Sequence, residues 1–227
     1  MRAYYYPTFL DLRDRACVIV GGGSVAYGKV IGLLPCGARV HVISPEVHPG
    51  IARLARRGTI RWTARTYQPG DLSGADLAIA ATDDTGLNTA VHAEAVRERV
   101  LVNVVDVPEQ CQFVAGAIFR RGRLQVAIST GGASPALAAR LKRELNAVWG
   151  PEHGQLVSAY RRLRPFVMAA IPGVEARKRF WLELVARDDL LPLLRGRRHD
   201  ELDALLRSAV EGFARREAEA GAAASRS

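Results

Sequence analysis

The first half of the chain alternates between short apolar runs and segments whose apolar residues recur every three or four positions. Short apolar runs that end in glycine or polar residues are typical of buried parallel strands. The longer segments between them are typical of helices that bury one face. The alternation predicts a parallel sheet covered by helices. The predicted strands are ACVIVGG (16–22), ARVHVIS (38–44), TIRWTAR (59–65), DLAIAAT (76–82) and VLVNVVD (100–106).

The pattern changes after Pro108. Two apolar runs flank the letters RRGR in FVAGAIFRRGRLQVAIST (113–130), which predicts a hairpin. The next segment predicts a helix with Ser134 as its N-cap, Pro135 as its first residue and Gly150 as its stop. The remaining chain carries helical patterns only, and we expect breaks near Pro165, Pro172, Pro192 and Gly196.

Composition narrows the class of protein. The 227 residues are 48% hydrophobic, contain no apolar window long enough for a transmembrane helix, and begin without a signal-peptide pattern. The three cysteines are scattered, so they predict neither a disulfide framework nor a zinc site. We therefore expect a cytoplasmic protein with no membrane partner and no fixed metal.

The formal net charge of +9 comes almost entirely from arginine. Such a charge is typical of proteins that bind a polyanion, but an arginine-rich composition by itself explains it equally well. The basic residues do not form one run and are not interleaved with aromatic residues. The sequence therefore does not favour a nucleic-acid partner.

A glycine-rich turn follows the first predicted strand. Gly21, Gly23 and Ala26 have the spacing G-x-G-x-x-A, and the turn opens a helix. In this motif the first glycine permits a tight turn, the second permits close approach of a pyrophosphate, and the alanine permits helix packing. The free N–H groups of the helix then face the phosphates. The turn predicts dinucleotide binding in a Rossmann-type sheet, although a glycine turn that merely packs is the alternative.

The end of the second predicted strand bears on the choice of cofactor. Ser44 closes this strand and Glu46 follows two residues later. Glu46 either accepts hydrogen bonds from ribose hydroxyls or caps the next helix. No arginine stands at the strand end to attract a 2′-phosphate, so we expect NAD and not NADP.

Several longer segments together carry a resemblance to a known family. They include VIVGGGSVAYGKVIGLLPCGARV, LAIAATDD, VNVVDVPEQCQFVAGAIF and ISTGGASPALAARLKREL. With these segments the chain resembles, over about residues 4–215, the bifunctional precorrin-2 dehydrogenase/sirohydrochlorin ferrochelatase, which is the N-terminal module of siroheme synthase. The resemblance implies NAD-dependent oxidation of precorrin-2 to sirohydrochlorin and insertion of ferrous iron, as a substrate, to give siroheme. Since the methyltransferase domain of some siroheme synthases is absent from this sequence, we expect precorrin-2 to come from another protein.

The resemblance also implies a homodimer of three-part subunits. Their expected parts are an NAD-binding Rossmann domain (1–112), a small α+β dimerisation segment (113–150) and a helical C-terminal domain (151–216). We expect a disordered tail at 217–227. The family's essential aspartate falls on Asp106, and its cofactor contacts fall on Ser24, Val25, Pro45 and Glu46 besides the glycines. The family's polar residues after the glycines are replaced here by Ser24, Tyr27 and Gly28, whereas Lys29 is kept.

Elementary chemistry assigns roles at the strand ends. Parallel strands deliver the residues after them to one edge of the sheet, so Asp106 lies in position to take a proton from a substrate ring. The alternative is that Asp106 only forms a turn before Pro108. Asn103 has the opposite side-chain parity, which favours a structural role. The residues expected to bind the cofactor are Gly21, Gly22, Gly23, Ser24, Val25, Ser44, Pro45, Glu46, Thr82, Asp83 and Asn103.

The expected tetrapyrrole substrate carries several carboxylates, which the arginines could bind, because guanidinium groups bind carboxylates bidentately. The alternative is that the RRGR letters form a solvated hairpin tip. The STGG letters before the helix at Pro135 either hold a substrate carboxylate or serve only as its N-cap region. The residues expected to bind substrate are Arg120, Ser129, Thr130, Gly131, Gly132 and Arg140. Two other functions remain open: a dehydrogenase without chelatase activity, and a regulatory module that senses NAD(H).

Overall fold

The apolar runs of the first half form one parallel sheet in the computed structural model, which describes residues 5–224. Its strands are β1 (Ala16–Val20), β2 (Arg39–Ile43), β3 (Arg61–Thr63), β4 (Leu77–Ala80) and β5 (Leu101–Val104). Their order in the sheet is β3-β2-β1-β4-β5, and every neighbouring pair is parallel. All five predicted strands and the Rossmann-type sheet are thereby confirmed.

The two faces of the sheet bury separate apolar clusters. Cys17 and Ile19 of β1 belong to one cluster, whereas Val18 and Val20 belong to the other. Successive side chains of a strand point to opposite faces, so a strand with both faces covered must be apolar at every position. This requirement explains the unbroken apolar letters of the central strands.

Three helices cover this sheet: α1 (Ser24–Leu33), α2 (Pro49–Arg56) and α3 (Thr85–Glu98). Asp84 caps α3, because its side chain accepts a hydrogen bond from the backbone N–H of Leu87 at 2.9 Å. The helix ends at Arg99, which has a left-handed φ of 58°. Short 3₁₀ turns lie at Leu34–Cys36 and Pro108–Gln110.

The second half forms a hairpin and a set of helices. The hairpin pairs β6 (Ala117–Arg121) with β7 (Leu124–Ile128) in antiparallel register. The helices are α4 (Pro135–Val148), α5 (Pro151–Ala170), α6 (Val174–Val185), α7 (Leu190–Arg195) and α8 (His199–Ala224). The predicted N-cap of α4 is confirmed, since the Ser134 hydroxyl accepts from the Leu137 N–H at 3.2 Å. The last four helices share one apolar cluster built around Leu163, Phe180, Leu190 and Leu206.

The chain divides into two compact units. The first unit runs to Ala115 and includes Gly131–Ala133, and the second comprises Gly116–Thr130 with the chain from Ser134 onward. The hairpin, α4 and the later helices therefore belong to one compact unit. The expected boundary between a dimerisation segment and a helical C-terminal domain at residue 150 stays a prediction. Within residues 5–224, no helix combines the length and the apolar composition that crossing a membrane requires.

Two expectations about the helices are corrected, at Pro165 and in the C-terminal tail, whereas the break expected near Pro192 is confirmed, since α6 ends at Val185 and α7 begins at Leu190. Pro165 lies inside α5 and does not break it. Its side chain is exposed, so the carbonyl it leaves without an amide donor can be hydrated. Pro192 lies in the first turn of α7, where helices tolerate proline. The structure places residues 217–224 in α8 and not in a disordered tail, while residues 1–4 and 225–227 lie outside the described part.

Candidate cofactor and active site

The glycine turn between β1 and α1 is held by close backbone contacts. Gly21 has a φ of 112°, and its N–H donates to the Ile43 carbonyl at 3.0 Å. A Cβ on Gly21 would lie 2.2 Å from the Ala81 carbonyl oxygen, and a Cβ on Gly22 would lie 1.9 Å from that of Glu46. Both positions therefore require glycine.

Gly23 differs from the other two glycines. It is the N-cap of α1, has an ordinary φ of −71°, and a Cβ built on it would meet no atom within 4 Å. It supplies no side-chain acceptor to the first N–H groups of the helix, and the first turn contains no acidic residue. These N–H groups and the open space above Gly23 fit a dinucleotide pyrophosphate. Ser24 and Val25, which follow, are exposed.

The loop after β2 packs directly on this turn. The His48 N–H donates to the Gly22 carbonyl at 2.7 Å, and the buried Ser44 hydroxyl donates to the Glu46 carbonyl at 2.7 Å. Pro45 and Glu46 are exposed. The N-cap of α2 is His48, whose Nδ1 accepts from the Gly50 N–H, so the alternative that Glu46 caps this helix is wrong.

A polar network follows β4. The Thr82 hydroxyl donates to the Asn88 side-chain oxygen at 2.8 Å, and the Asn88 amide donates to the Thr82 carbonyl at 2.9 Å. Asn88 is 5% exposed. Asp83 is exposed, and the next residue, Asp84, caps α3. Sequence reasoning missed Asn88, since an asparagine in the first turns of a helix gives no signal of a partner six residues earlier.

Asp106 follows β5 in a left-handed turn. Its φ is 62°, which asparagine, aspartate and glycine adopt most readily, and its side chain is exposed. The turn continues into the 3₁₀ segment, where the Cys111 thiol contacts the Val104 and Val107 carbonyls at 3.1 and 3.3 Å. Asp106 therefore does form a turn. Its carboxylate is exposed in this turn and can contact a ligand.

Asn103 supports that turn from the buried side. Its amide donates to the Phe113 carbonyl at 3.0 Å and to the Cys111 sulfur at 3.3 Å, and the residue is 7% exposed. Its hydrogen bonds describe a structural role, which the side-chain parity favoured. A contact between Asn103 and the cofactor stays a prediction.

Lys29 on α1 was not among the expected site residues. Burial lowers the pKa of its ammonium, while coulombic attraction to Cys111, when that thiol is ionised, and to Asp106 opposes this lowering. Burial likewise raises the pKa of the Cys111 thiol, and the positive charge of Lys29 acts against it. Lys29 is therefore a half-buried cation whose field acts on the end of β5. The sequence could have indicated the partial burial of Lys29, because Lys29 is next to Val30 and three residues after Ala26, and both of these belong to the buried face of α1.

Strand pairing brings these loops to one edge of the sheet. Val20 pairs with Ile43 on one side and with Ala80 on the other, and Ala80 pairs with Val104. The strand order reverses at β1, and ligands of such sheets bind at that switch point, beyond the carboxyl ends of the strands. The predicted residues brought to this edge are Gly21, Gly22, Gly23, Ser24, Val25, Ser44, Pro45, Glu46, Thr82, Asp83 and Asp106.

The residues expected to bind substrate are divided between the two units. Arg120 and Arg140 belong to the second unit, as do Ser129 and Thr130, whereas Gly131 and Gly132 are assigned to the first. The Thr130 hydroxyl accepts from the Ser134 N–H at 3.0 Å, and Arg140 pairs with Glu144 at 2.8 Å. Among residues 5–224, no group of three or more histidine, cysteine and acidic side chains is placed to hold a metal ion.

Family comparisons cover both units. Residues 8–117 match the family described as "Putative NAD(P)-binding". Residues 121–147 match "Sirohaem biosynthesis protein central", and residues 152–210 match "Sirohaem synthase dimerisation region". The chain therefore contains the central and dimerisation regions of the sirohaem synthase family after a putative NAD(P)-binding domain.

Individual relatives agree with this assignment. A siroheme synthase of Methylococcus capsulatus is 42% identical over 213 residues, which are 94% of this chain and 45% of that protein. A siroheme synthase of Methylobacillus flagellatus is 42% identical over 175 residues, which are 77% of this chain and 38% of that protein. The chain thus spans less than half the length of these relatives.

A solved structure matches along its full length. The precorrin-2 dehydrogenase SirC superposes with a TM-score of 0.73 at 25% sequence identity, covering 92% of this chain and 100% of SirC. The order of a Rossmann-type sheet, a short antiparallel pair and a helical C-terminal region is therefore shared with that enzyme.

Proposed function

We propose that this protein oxidises precorrin-2 to sirohydrochlorin with NAD as the electron acceptor. The observation that carries the proposal is an exposed carboxylate, Asp106, on the same sheet edge as a glycine turn that fits a dinucleotide. The likeness to SirC along its full length and the siroheme synthase relatives support the choice of substrate. Bound NAD would supply the chemistry of accepting two electrons and one proton from the macrocycle.

The protein's own residues would bind the cofactor and handle the remaining proton. The first N–H groups of α1 hold the pyrophosphate, and the exposed Glu46 accepts from the ribose hydroxyls. The negative charge of Glu46 repels a 2′-phosphate, which favours NAD over NADP. Asp106 takes the second proton that leaves the macrocycle and passes it to water. Precorrin-2 thus loses two electrons and two protons in total.

Ferrous iron insertion is the second activity that we propose. Metallation displaces two pyrrole protons, and Asp106 is an exposed base that can receive them one after the other and release each to water. Iron is a substrate in this step, so no resident metal site is required. The siroheme synthase relatives support the assignment, because siroheme contains iron.

We also propose that the protein is a homodimer. Residues 152–210 match the dimerisation region of sirohaem synthase. Within this segment several large apolar side chains are exposed, among them Phe166, Met168, Leu182 and Val185. Apolar side chains concentrated in one segment are typical of an interface between subunits. Sedimentation velocity on the full chain tests the proposal, and a monomer at micromolar concentration would contradict it.

The decisive test compares Asp106→Asn with the wild type. Asparagine keeps the left-handed turn and removes the base, whereas alanine would also strain the backbone. We expect turnover of precorrin-2 with NAD to fall at least about 100-fold, with NAD affinity unchanged. Glu109→Gln, which removes a neighbouring exposed carboxylate, is the matched control.

The same assay separates the alternatives. Wild-type protein that binds NAD but forms no sirohydrochlorin would leave an NAD-sensing module as the function. Sirohydrochlorin formation without iron-dependent conversion above the spontaneous rate would leave a dehydrogenase without chelatase activity. Full turnover by Asp106→Asn would remove Asp106 from the mechanism.

A further inference from the structure

The second unit contains a cavity of about 470 Å³ with a positively charged lining. It lies between the turn of the β6–β7 hairpin, helix α5 and the segment that joins α7 to α8. Its charged and titratable lining residues are Arg120, Arg121, Arg162 and His199, and no aspartate or glutamate belongs to the lining. None of the residues at the sheet edge where the cofactor is expected, from Gly21 to Asp106, belongs to the described lining of this cavity.

Arg121 is a cation held in a fixed position. Its guanidinium donates to the carbonyls of Trp149 at 3.0 Å and Arg120 at 3.3 Å, and it lies 5.1 Å from the centre of the Phe119 ring. Phe119 is fully buried. In the described part of the chain no carboxylate lies within ion-pair distance of Arg121, so its positive charge is compensated only by carbonyl dipoles and the ring face.

The wall of the cavity is also closely packed. A Cβ on Gly154 would lie 2.3 Å from the Arg121 carbonyl oxygen, so α5 approaches the hairpin as closely as a glycine allows. One turn further along, the Ser158 hydroxyl donates to the Gly154 carbonyl at 2.9 Å. Leu194 adds an apolar surface, so the cavity combines fixed charge with a small apolar area.

Arg162 stands at the solvent side of the cavity. It donates to Asp203 at 3.0 Å, and both side chains are about half exposed, at 60% and 47%. Exposed ion pairs of this kind are weak, so the guanidinium can exchange Asp203 for another anion at little cost. His199, the first residue of α8, is also exposed and lines the same cavity.

We propose that this cavity binds an organic polycarboxylate. Guanidinium groups bind carboxylates through paired hydrogen bonds, and several cations around one space match a ligand with several carboxylates. The volume lies within the usual range of small-molecule sites, about 300–1,000 Å³, which is more than an inorganic anion needs. The carboxylates belong either to a tetrapyrrole side chain or to a small free acid. The proposal does not depend on the proposed dehydrogenase.

Isothermal titration of the full chain at low salt tests it, with citrate and uroporphyrin I as probes. We expect citrate to bind, and Arg162→Gln to weaken its affinity about tenfold, because one charge-assisted contact is lost. Asp203→Asn breaks the same ion pair but keeps the cation, so its affinity should be equal or higher. Arg143→Gln removes an exposed arginine of α4, outside the cavity, and should change the affinity less than about twofold.

Uroporphyrin I identifies the source of the carboxylates. Binding of the porphyrin that Arg162→Gln also weakens assigns the site to a tetrapyrrole. Binding of citrate that the porphyrin does not displace assigns it to a small free acid. His199→Gln, which should weaken citrate binding by a smaller factor, repeats the test if Arg162→Gln is poorly folded.

Three results would overturn the proposal. The first is that neither probe binds. The second is that Arg143→Gln weakens binding as much as Arg162→Gln, which would indicate unspecific attraction to a basic surface. The third is that Arg162→Gln changes the oligomeric state and not the affinity, which would make the cavity part of an interface between subunits. Asp106→Asn should leave citrate binding unchanged, so failure of the proposed dehydrogenase is separately visible.

Discussion

The candidate binding sites of the two units are built from different parts of their residues, backbone in the first unit and side chains in the second. In the first unit the turn proposed to hold the cofactor is formed by backbone, through three glycines and the loops that pack on Gly21 and Gly22. In the second unit the candidate site is made of long cationic side chains around a helical scaffold. Backbone contacts tolerate almost no change, whereas side chains on an apolar helical core tolerate much. The comparison predicts that equal substitutions will have unequal effects in the two units.

Alanine at Gly22 should have the largest effect. Its Cβ would overlap the Glu46 carbonyl oxygen at 1.9 Å, so the loop after β2 must move. We expect a loss of about 2–4 kcal/mol in unfolding free energy together with a loss of NAD binding, measured by chemical denaturation and fluorescence titration.

Two further alanine variants serve as controls for Gly22. Gly23→Ala meets no atom within 4 Å, so it should keep its stability and lose at least about tenfold in NAD affinity, because its methyl occupies the space of the pyrophosphate. Gly28→Ala, in the interior of α1, should gain about 0.5–1 kcal/mol without affecting NAD. Unaltered NAD affinity in Gly23→Ala would contradict the assigned position of the pyrophosphate.

Glu94 gives the next largest expected effect. It is 3% exposed on α3 and accepts hydrogen bonds from the Tyr67 hydroxyl and from the backbone N–H groups of Gly70 and Leu72, the latter two at 3.0 Å. Burial alone would raise its pKa, but these donors outweigh burial and lower it. Glu94→Gln should cost about 2–3 kcal/mol, because an amide cannot satisfy all three donors.

The pH dependence of stability follows from the direction of this shift. A carboxyl whose pKa is lowered on folding stabilises the protein fully above its unfolded pKa, near the ordinary value of 4.5, and loses that contribution as pH falls. Urea unfolding of the wild type between pH 7 and pH 4 should show a decline that is smaller in Glu94→Gln. An equal decline in both proteins would assign the acid sensitivity to other carboxyl groups.

A substitution at Pro165 tests whether the second unit tolerates changes in its helices without loss of stability. Pro165 lies inside α5 with its side chain exposed, and it supplies no amide to the carbonyl one turn earlier. Alanine restores this hydrogen bond and has the higher helix propensity. Pro165→Ala should therefore raise the unfolding free energy by about 1 kcal/mol, which thermal unfolding would show as a higher melting temperature. The gain is limited because proline also restricts the unfolded chain. A loss of stability would show that α5 needs a bend at this position.

The sequence could predict the first unit almost completely and the second only in outline. Buried parallel strands must be apolar at every position, and the glycine turn leaves a fixed spacing, so β1 and α1 were both predictable. The hydrogen bond between Asn103 and Phe113 spans ten residues and depends on how one loop folds back. The cavity beside Arg121 depends on the packing of four elements that no local pattern specifies. Pro165 was misjudged because propensity is a local rule, and the shared apolar cluster of the helices overrides it.

Arg140→Gln should have the smallest effect on stability. Arg140 pairs with Glu144 one turn later on α4, and the side chains are 70% and 53% exposed. A pair of this kind contributes about 0.3–0.5 kcal/mol, so the change in unfolding free energy should stay below about 0.5 kcal/mol. If Arg140 holds a substrate carboxylate, the same variant raises the KM for precorrin-2 while kcat and NAD affinity stay constant. Glu144→Gln breaks the same ion pair and keeps the arginine, so it should leave KM unchanged. An unchanged KM in Arg140→Gln would show that Arg140 is only a solvated surface residue of α4. Its loss would then leave activity unchanged and affect stability only slightly.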